Sequence, residues 1–161
     1  MHRADISFKL NHAGLRYEIG VALGTSKIIH VAGGYPCGQL NDLQIAERHL
    51  LQKMNVLREP GMELEKPVAD LGYQSADFVL PFILPRCDIE RLINSDLSRI
   101  RARHEHVNQQ LKAFAIGISP GKFRHSRRFH VQIFFALCNV VQLKMVEDPL
   151  EDVSCLLPLN H

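Results

Sequence analysis

An apolar stripe through the second half of the chain limits the folds open to it. Ile93, Leu97, Ile100, Val107, Leu111 and Phe114 recur at steps of three, four or seven, with His104 in the gap. That spacing predicts one face of a helix about six turns long, starting at Asp88. Its second half meets no Gly or Pro until Gly117. A helix this long with one apolar face needs a surface to lie on, and the preceding residues predict that surface as strands. Leu15 to Leu23 is bounded by Gly and rich in Tyr, Ile and Val, Gly24-Thr25-Ser26 is turn material, and Lys27 to Ala32 reads as a second strand. Together they predict a hairpin.

Gly33-Gly34-Tyr35-Pro36-Cys37-Gly38 reads as a loop. Asn41 or Asp42 then caps a helix whose buried face is expected at Leu43, Ala46, Leu50 and Met54. A polar loop, broken by Pro60 and Gly61, leads to a short strand from Pro67 to Ala69 that ends at Asp70. Asp77 to Phe82 is a further short strand, and Pro81 argues that its end is not central in a sheet. After Ser119-Pro120-Gly121, residues His130 to Leu143 predict a last helix. It is apolar enough to be buried on much of its circumference. The order strand, strand, helix, strand, strand, long helix, helix predicts a mixed α/β sheet flanked by helices.

With 161 residues, 46% hydrophobic and 22% charged, the chain has the composition of one soluble globular domain. It has no run of roughly 18 uninterrupted apolar residues, so no membrane partner is expected. Met1-His2-Arg3-Ala4-Asp5 has no apolar signal core, so secretion is not expected. Cys37, Cys87, Cys138 and Cys155 are scattered, as buried or free thiols in a reducing compartment would be.

Net charge is +2, but residues 86–130 hold ten Lys and Arg against four acids. The rest of the chain is acidic on balance and includes a tail, residues 146–161, that reads as loosely ordered. A locally basic segment fits a polyanion surface or, equally, a solvated helix face.

The spacing also permits a specific chemistry. Asp70 ends a strand, with a Gly two residues on, and ligands of α/β sheets collect at the carboxyl ends of strands. Arg101, Glu105, Asn108 and Lys112 step by four, three and four along the long helix and share one face. Carboxylates are preferred ligands of Mg²⁺ and Mn²⁺. Two such ions can activate a water or 3′-hydroxyl at a phosphodiester. Arg101 and Lys112 would then hold phosphates. The competing readings are a turn residue for Asp70 and a surface salt-bridge network for Glu105. His104 and His106 point apart on a helix and do not share an ion. Gly33 to Gly38 lacks the Gly-Lys-Ser/Thr of a phosphate loop, and Cys37 has no placed base.

Asp70-Leu71-Gly72-Tyr73 resembles the aspartate-x-Gly-Tyr motif of DDE-type transposases of the PIF/Harbinger and related bacterial insertion-sequence groups. Arg101, Glu105 and Lys112 resemble the spaced Arg, Glu and Lys of their third catalytic motif, with Ser98 where that motif usually has Tyr. Gly14-Leu15-Arg16-Tyr17-Glu18, Gly34-Tyr35-Pro36-Cys37-Gly38 through Asp42-Leu43, Arg103-His104-Glu105-His106-Val107-Asn108 and Arg124-His125 extend the likeness from about Ser7 to about Leu143.

The resemblance implies an RNase H-like catalytic domain over residues 1–145 and divalent-metal (Mg or Mn) DNA cleavage and strand transfer. Asp70 would be the second carboxylate and Glu105 the third, both metal ligands, with Asp42 in reserve. Arg101, Lys112, Arg124, Arg127 and Arg128 would bind DNA. The first strand and its carboxylate would lie upstream, so the expectation is a truncated, inactive copy. The alternatives are a DNA- or protein-binding remnant that uses residues 86–130, and a product without function. Expected partners are DNA, a further copy of the chain or a separate DNA-binding protein. The expected compartment is the nucleus in a eukaryote and otherwise the cytoplasm.

Overall fold

The computed structural model describes residues 6–7, 12–57, 65–114 and 126–156. Two short strands, β1 (Ile6–Ser7) and β2 (His12–Ala13), pair with each other. The longer strands β3 (Leu15–Val21) and β4 (Ile28–Pro36) form the hairpin. Both pairings are antiparallel. Helices α1 (Asp42–Arg48), α2 (Leu50–Leu57), α3 (Asp88–Lys112) and α4 (Arg127–Glu147) follow, then a 3-10 turn at Ser154–Leu156. The fold is mixed α/β.

β4 runs through Gly33 and Gly34 instead of ending before them. Its register with β3 shifts between Arg16 and Tyr17, and Gly33 and Gly34 have φ of 134° and 81°. A Cβ on Gly33 would stand 2.5 Å from the Arg16 carbonyl oxygen, and one on Gly34 would run into Val131 of α4. The two glycines let the strand bulge where another residue would strain it. A pair of glycines that reads as a loop is therefore a close backbone approach inside a strand.

The strands expected at 67–69 and 77–82 reduce to one isolated parallel bridge, Val68 with Val79. Ala69 N–H donates to Val79 O at 3.1 Å, and Val79 N–H to Pro67 O at 2.9 Å. Pro67 and Pro81 lack an N–H, so the ladder has little room to grow on either side.

One face of the hairpin carries Ile19, Val21, Ile28 and Val31 against a core of Val107 and Leu111 from α3 and Cys138, Val141 and Met145 from α4. Full burial of such side chains stabilises the fold by about 1.5–3 kcal/mol each. Tyr17 stacks on Phe134 at 3.7 Å, and its hydroxyl meets His130 Nδ1 at 2.7 Å. On the α1 and α2 side, Tyr35 OH reaches His49 Nε2 at 2.5 Å and Lys53 Nζ donates to Ile29 O at 3.1 Å.

The helix expected after Asn41 is interrupted at His49, whose φ of −127° and ψ of −61° leave the helical region. Its buried residues are Ile45 and Ala46, and α2 has none. Asn41 is the cap, in a reciprocal box with Gln44, and Asp42 is the first helical residue. On α3 the gap in the apolar stripe is filled by Arg103, 6% exposed, rather than by His104. The Arg103 guanidinium donates to the carbonyls of Leu23 and Thr25, the latter at 2.8 Å. His104 Nε2 lies 3.0 Å from Ile19 O.

The acidic tail makes specific contacts as far as Leu156. Val153 is fully buried with Leu97 and Ile100. Leu150 N–H donates to Ser26 Oγ at 2.7 Å, and Arg99 pairs with Glu151. Residues 157–161 lie outside the described set.

α4 is longer than expected and less buried. Only Cys138, Val141 and Met145 of it are buried. By length and composition it is also apolar enough to cross a membrane. Its Gln142 is committed to the hairpin, accepting from Ile28 N–H at 2.6 Å and donating to Ser26 O at 2.8 Å.

Candidate carboxylate site and nucleic-acid interface

The parallel bridge delivers the chain to Asp70, where it turns. Tyr73 N–H donates to Asp70 O at 3.1 Å, and Gly72 N–H donates to Asp70 Oδ1 at 2.8 Å. Asp70 therefore closes an Asx-type turn with its own side chain. Its residue is exposed. A Cβ on Gly72 would come within 2.9 Å of that carboxylate oxygen, so a side chain there would push the Asp70 carboxylate aside.

Tyr73 packs beside this turn against Phe78, with ring centroids 5.1 Å apart. Burial pushes its phenol well above the usual tyrosine range. The charges of Glu18, Asp42 and Asp70 push it further and Arg16 opposes them. Four charged groups from β3, α1 and the Asp70 turn thus act on one hydroxyl. Arg16 Nε holds Asp42 Oδ1 at 3.2 Å and its guanidinium also reaches Leu40 O.

Glu18 lies deepest of these groups. It is 6% exposed and its Oε2 meets His30 Nε2 at 3.1 Å. Its second oxygen, Oε1, is buried without a hydrogen-bond partner. Sequence reading singled out Asp70 and Asp42 but not the Glu18–His30 pair. The alternation of β3 carries the signal, since Glu18 falls on the face opposite Tyr17, Ile19 and Val21.

Glu105 stands apart, exposed on α3. Asn108 Nδ2 contacts His104 Nδ1 at 3.3 Å, while His106 turns to Gln110 at 2.7 Å, so the two histidines do point apart. Among the described residues no group of three or more His, Cys, Asp or Glu is placed to hold a metal ion. Two shallow clefts, one between Arg99, His106 and Glu151 and one between Arg16, Cys37 and Gln44, leave Asp70 and Glu105 outside.

No family model, no curated protein and no solved structure matches this chain.

Several cations of the basic segment are already engaged. Arg91 pairs with Asp88 at 2.6 Å and Arg99 with Glu151. Arg103 is buried, and desolvation draws its pKa down, partly countered by Asp152 and Glu151. Arg101 is half-buried with an unpartnered Nε, and Lys112 is exposed. Among the described residues no ion pair joins Arg101, Glu105 or Lys112 to anything, so the salt-bridge network their spacing allows is not formed. Arg127 and Arg128 are exposed at the start of α4, which Ser126 caps by accepting from Phe129 N–H at 3.3 Å. Arg124 and Lys122 lie outside the described residues.

Proposed function

We propose that this chain is a DDE-transposase-like domain of RNase H-like type that binds the DNA backbone and does not cut it unaided. The observation that carries the reading is the division of cations on α3. Arg91, Arg99 and Arg103 are spent on acids and backbone carbonyls, while Arg101 and Lys112 flank an exposed Glu105 with no ion pair among the described residues. Two unspent cations about 16 Å apart along a helix, at 1.5 Å per residue, suit a phosphate backbone. Arg127 and Arg128 add positive charge at the start of α4.

An antiparallel hairpin, then a helix, a parallel bridge that ends at Asp70 and a long helix that crosses the hairpin support the RNase H-like reading. The described ligand set supports the non-cutting clause. Asp70 is engaged in its own turn and Asp42 in an ion pair.

The test pairs binding with cleavage. Fluorescence anisotropy on a labelled duplex should show affinity that falls steeply with salt and is indifferent to sequence. Absence of binding at 50 mM salt would refute the DNA reading. Incubation of supercoiled DNA with Mg²⁺ or Mn²⁺ should give no nicking. Nicking that disappears in Glu105→Gln would overturn the non-cutting clause and leave the binding reading intact.

A further inference from the structure

We propose that α4 is the dimerisation element of this protein and pairs antiparallel with α4 of a second copy about a two-fold axis. The inference does not rest on DNA binding.

α4 has two apolar faces. Cys138, Val141 and Met145 are buried against the protein's own core. On the opposite side, at steps of seven, four and three, come Phe129, Ala136, Val140 and Leu143, with Phe135 and Val146 beside them. All are exposed, and Leu143 and Val146 reach 70% and 72%. The stripe runs the full helix, about 30 Å at 1.5 Å per residue. An apolar stripe of that length on a soluble surface marks an interface.

Charge identifies the occupant. α4 begins with Arg127 and Arg128 and ends with Glu147 and Asp148, with no acid in its first turn. Apart from Lys144 in the last turn, these signs oppose the helix dipole at both ends, which is unfavourable within one chain. Against an antiparallel copy the same charges become complementary. With Arg128 placed beside Glu147 of the second copy, Phe129 faces Val146, Gln132 faces Leu143, Phe135 faces Val140 and Ala136 faces Asn139. Large side chains meet apolar ones, and the small Ala136 lies near the axis where the helices approach. A two-fold interface is self-complementary by construction. Polar Gln132 and Asn139 within the stripe suit a helix seam, where such residues set register, better than a lipid face.

Sedimentation equilibrium of the full chain at tens of micromolar should give twice the 18.3 kDa monomer mass. Leu143→Glu should give a monomer with unchanged far-UV circular dichroism. Arg128→Glu and Glu147→Arg should each weaken self-association about tenfold, since each change is made twice in the dimer. The double variant should restore it. A monomeric wild type, a dimer that survives Leu143→Glu, or single variants that the double does not rescue would each overturn the proposal. So would Leu143-dependent flotation of the monomer with phosphatidylcholine–phosphatidylglycerol vesicles, which would assign the stripe to lipid.

Discussion

Glu18 and His30 face each other across the hairpin at 3.1 Å, both with less than a tenth of their surface exposed. They form a buried polar contact with one carboxylate oxygen left over. Removing the carboxylate leaves the imidazole buried without its partner. Glu18→Ala should therefore lower stability by about 1–3 kcal/mol in urea unfolding. Glu18→Gln keeps an acceptor and should lose less. Equal losses for the two substitutions would show that the contact contributes little.

Arg103 ties α3 to the hairpin turn through Leu23 O and Thr25 O. Hydrogen bonds to a charged donor contribute about 1.5–3 kcal/mol each. Arg103→Ala should thus destabilise by about 3 kcal/mol or more. Arg103→Lys should recover only part of that, because an ammonium lacks the fork that reaches two carbonyls. A denaturant series on the three proteins checks this.

Arg101 and Lys112 should behave in the opposite way. Alanine at either should leave stability within about 0.5 kcal/mol and reduce the slope of log affinity against log salt by about 0.9 per lost phosphate contact. A salt titration with each variant decides it. An unchanged slope would remove these residues from the DNA face.

Gly34 has φ of 81° and Val131 against the space where a Cβ would sit. Gly34→Ala should be destabilising by about 2–4 kcal/mol, from backbone strain and overpacking together. Val131→Ala in the same chain should relieve the overpacking and leave the strain, so the double variant should recover only part of the loss in thermal melts.

His130 supplies a pH dependence. Burial holds its pKa below the usual histidine value, against a raising effect from a backbone hydrogen bond, and Tyr17 OH lies 2.7 Å from its Nδ1. The unfolded chain then binds more protons than the folded one as pH falls through about 6.5. Stability from this residue should be present above that pH and decline below it. The slope of stability between pH 7.5 and 5.5 should flatten in His130→Gln.

Elements with strong local periodicity were legible from the residues. The α3 start at Asp88 and the β3–β4 hairpin stand where the pattern placed them. Gly33 and Gly34 misled because a strand bulge and a loop call for the same residue, and only the approach of Arg16 and Val131 separates them. His104 and Arg103 adjoin on the helix, and the one that went inside was the one with two carbonyls to reach. The polarity of α4 was hidden because a helix that is apolar all round gives no sign of which side faces its own core. Of the site, Asp70 and Glu105 were visible as residue types. The acidic surroundings of Tyr73 were not, since Glu18, Asp42 and Asp70 come from three separate elements.

Beyond its own Ala22 N–H to Lys27 O bond at 2.9 Å, the hairpin turn is held by residues made much later. Ser26 is gripped by Gln142 and Leu150, 116 and 124 positions on, and Leu23 by Arg103, 80 positions on. At roughly 5–20 residues per second, the ribosome would leave the hairpin without its clamps for on the order of 6–25 s after the turn is synthesised. β3 and β4 would spend that interval with open edges, available to chaperones or to other nascent strands. The last stretch before Leu156 thus acts as a closing latch, and yield in cells should depend on how quickly that latch arrives.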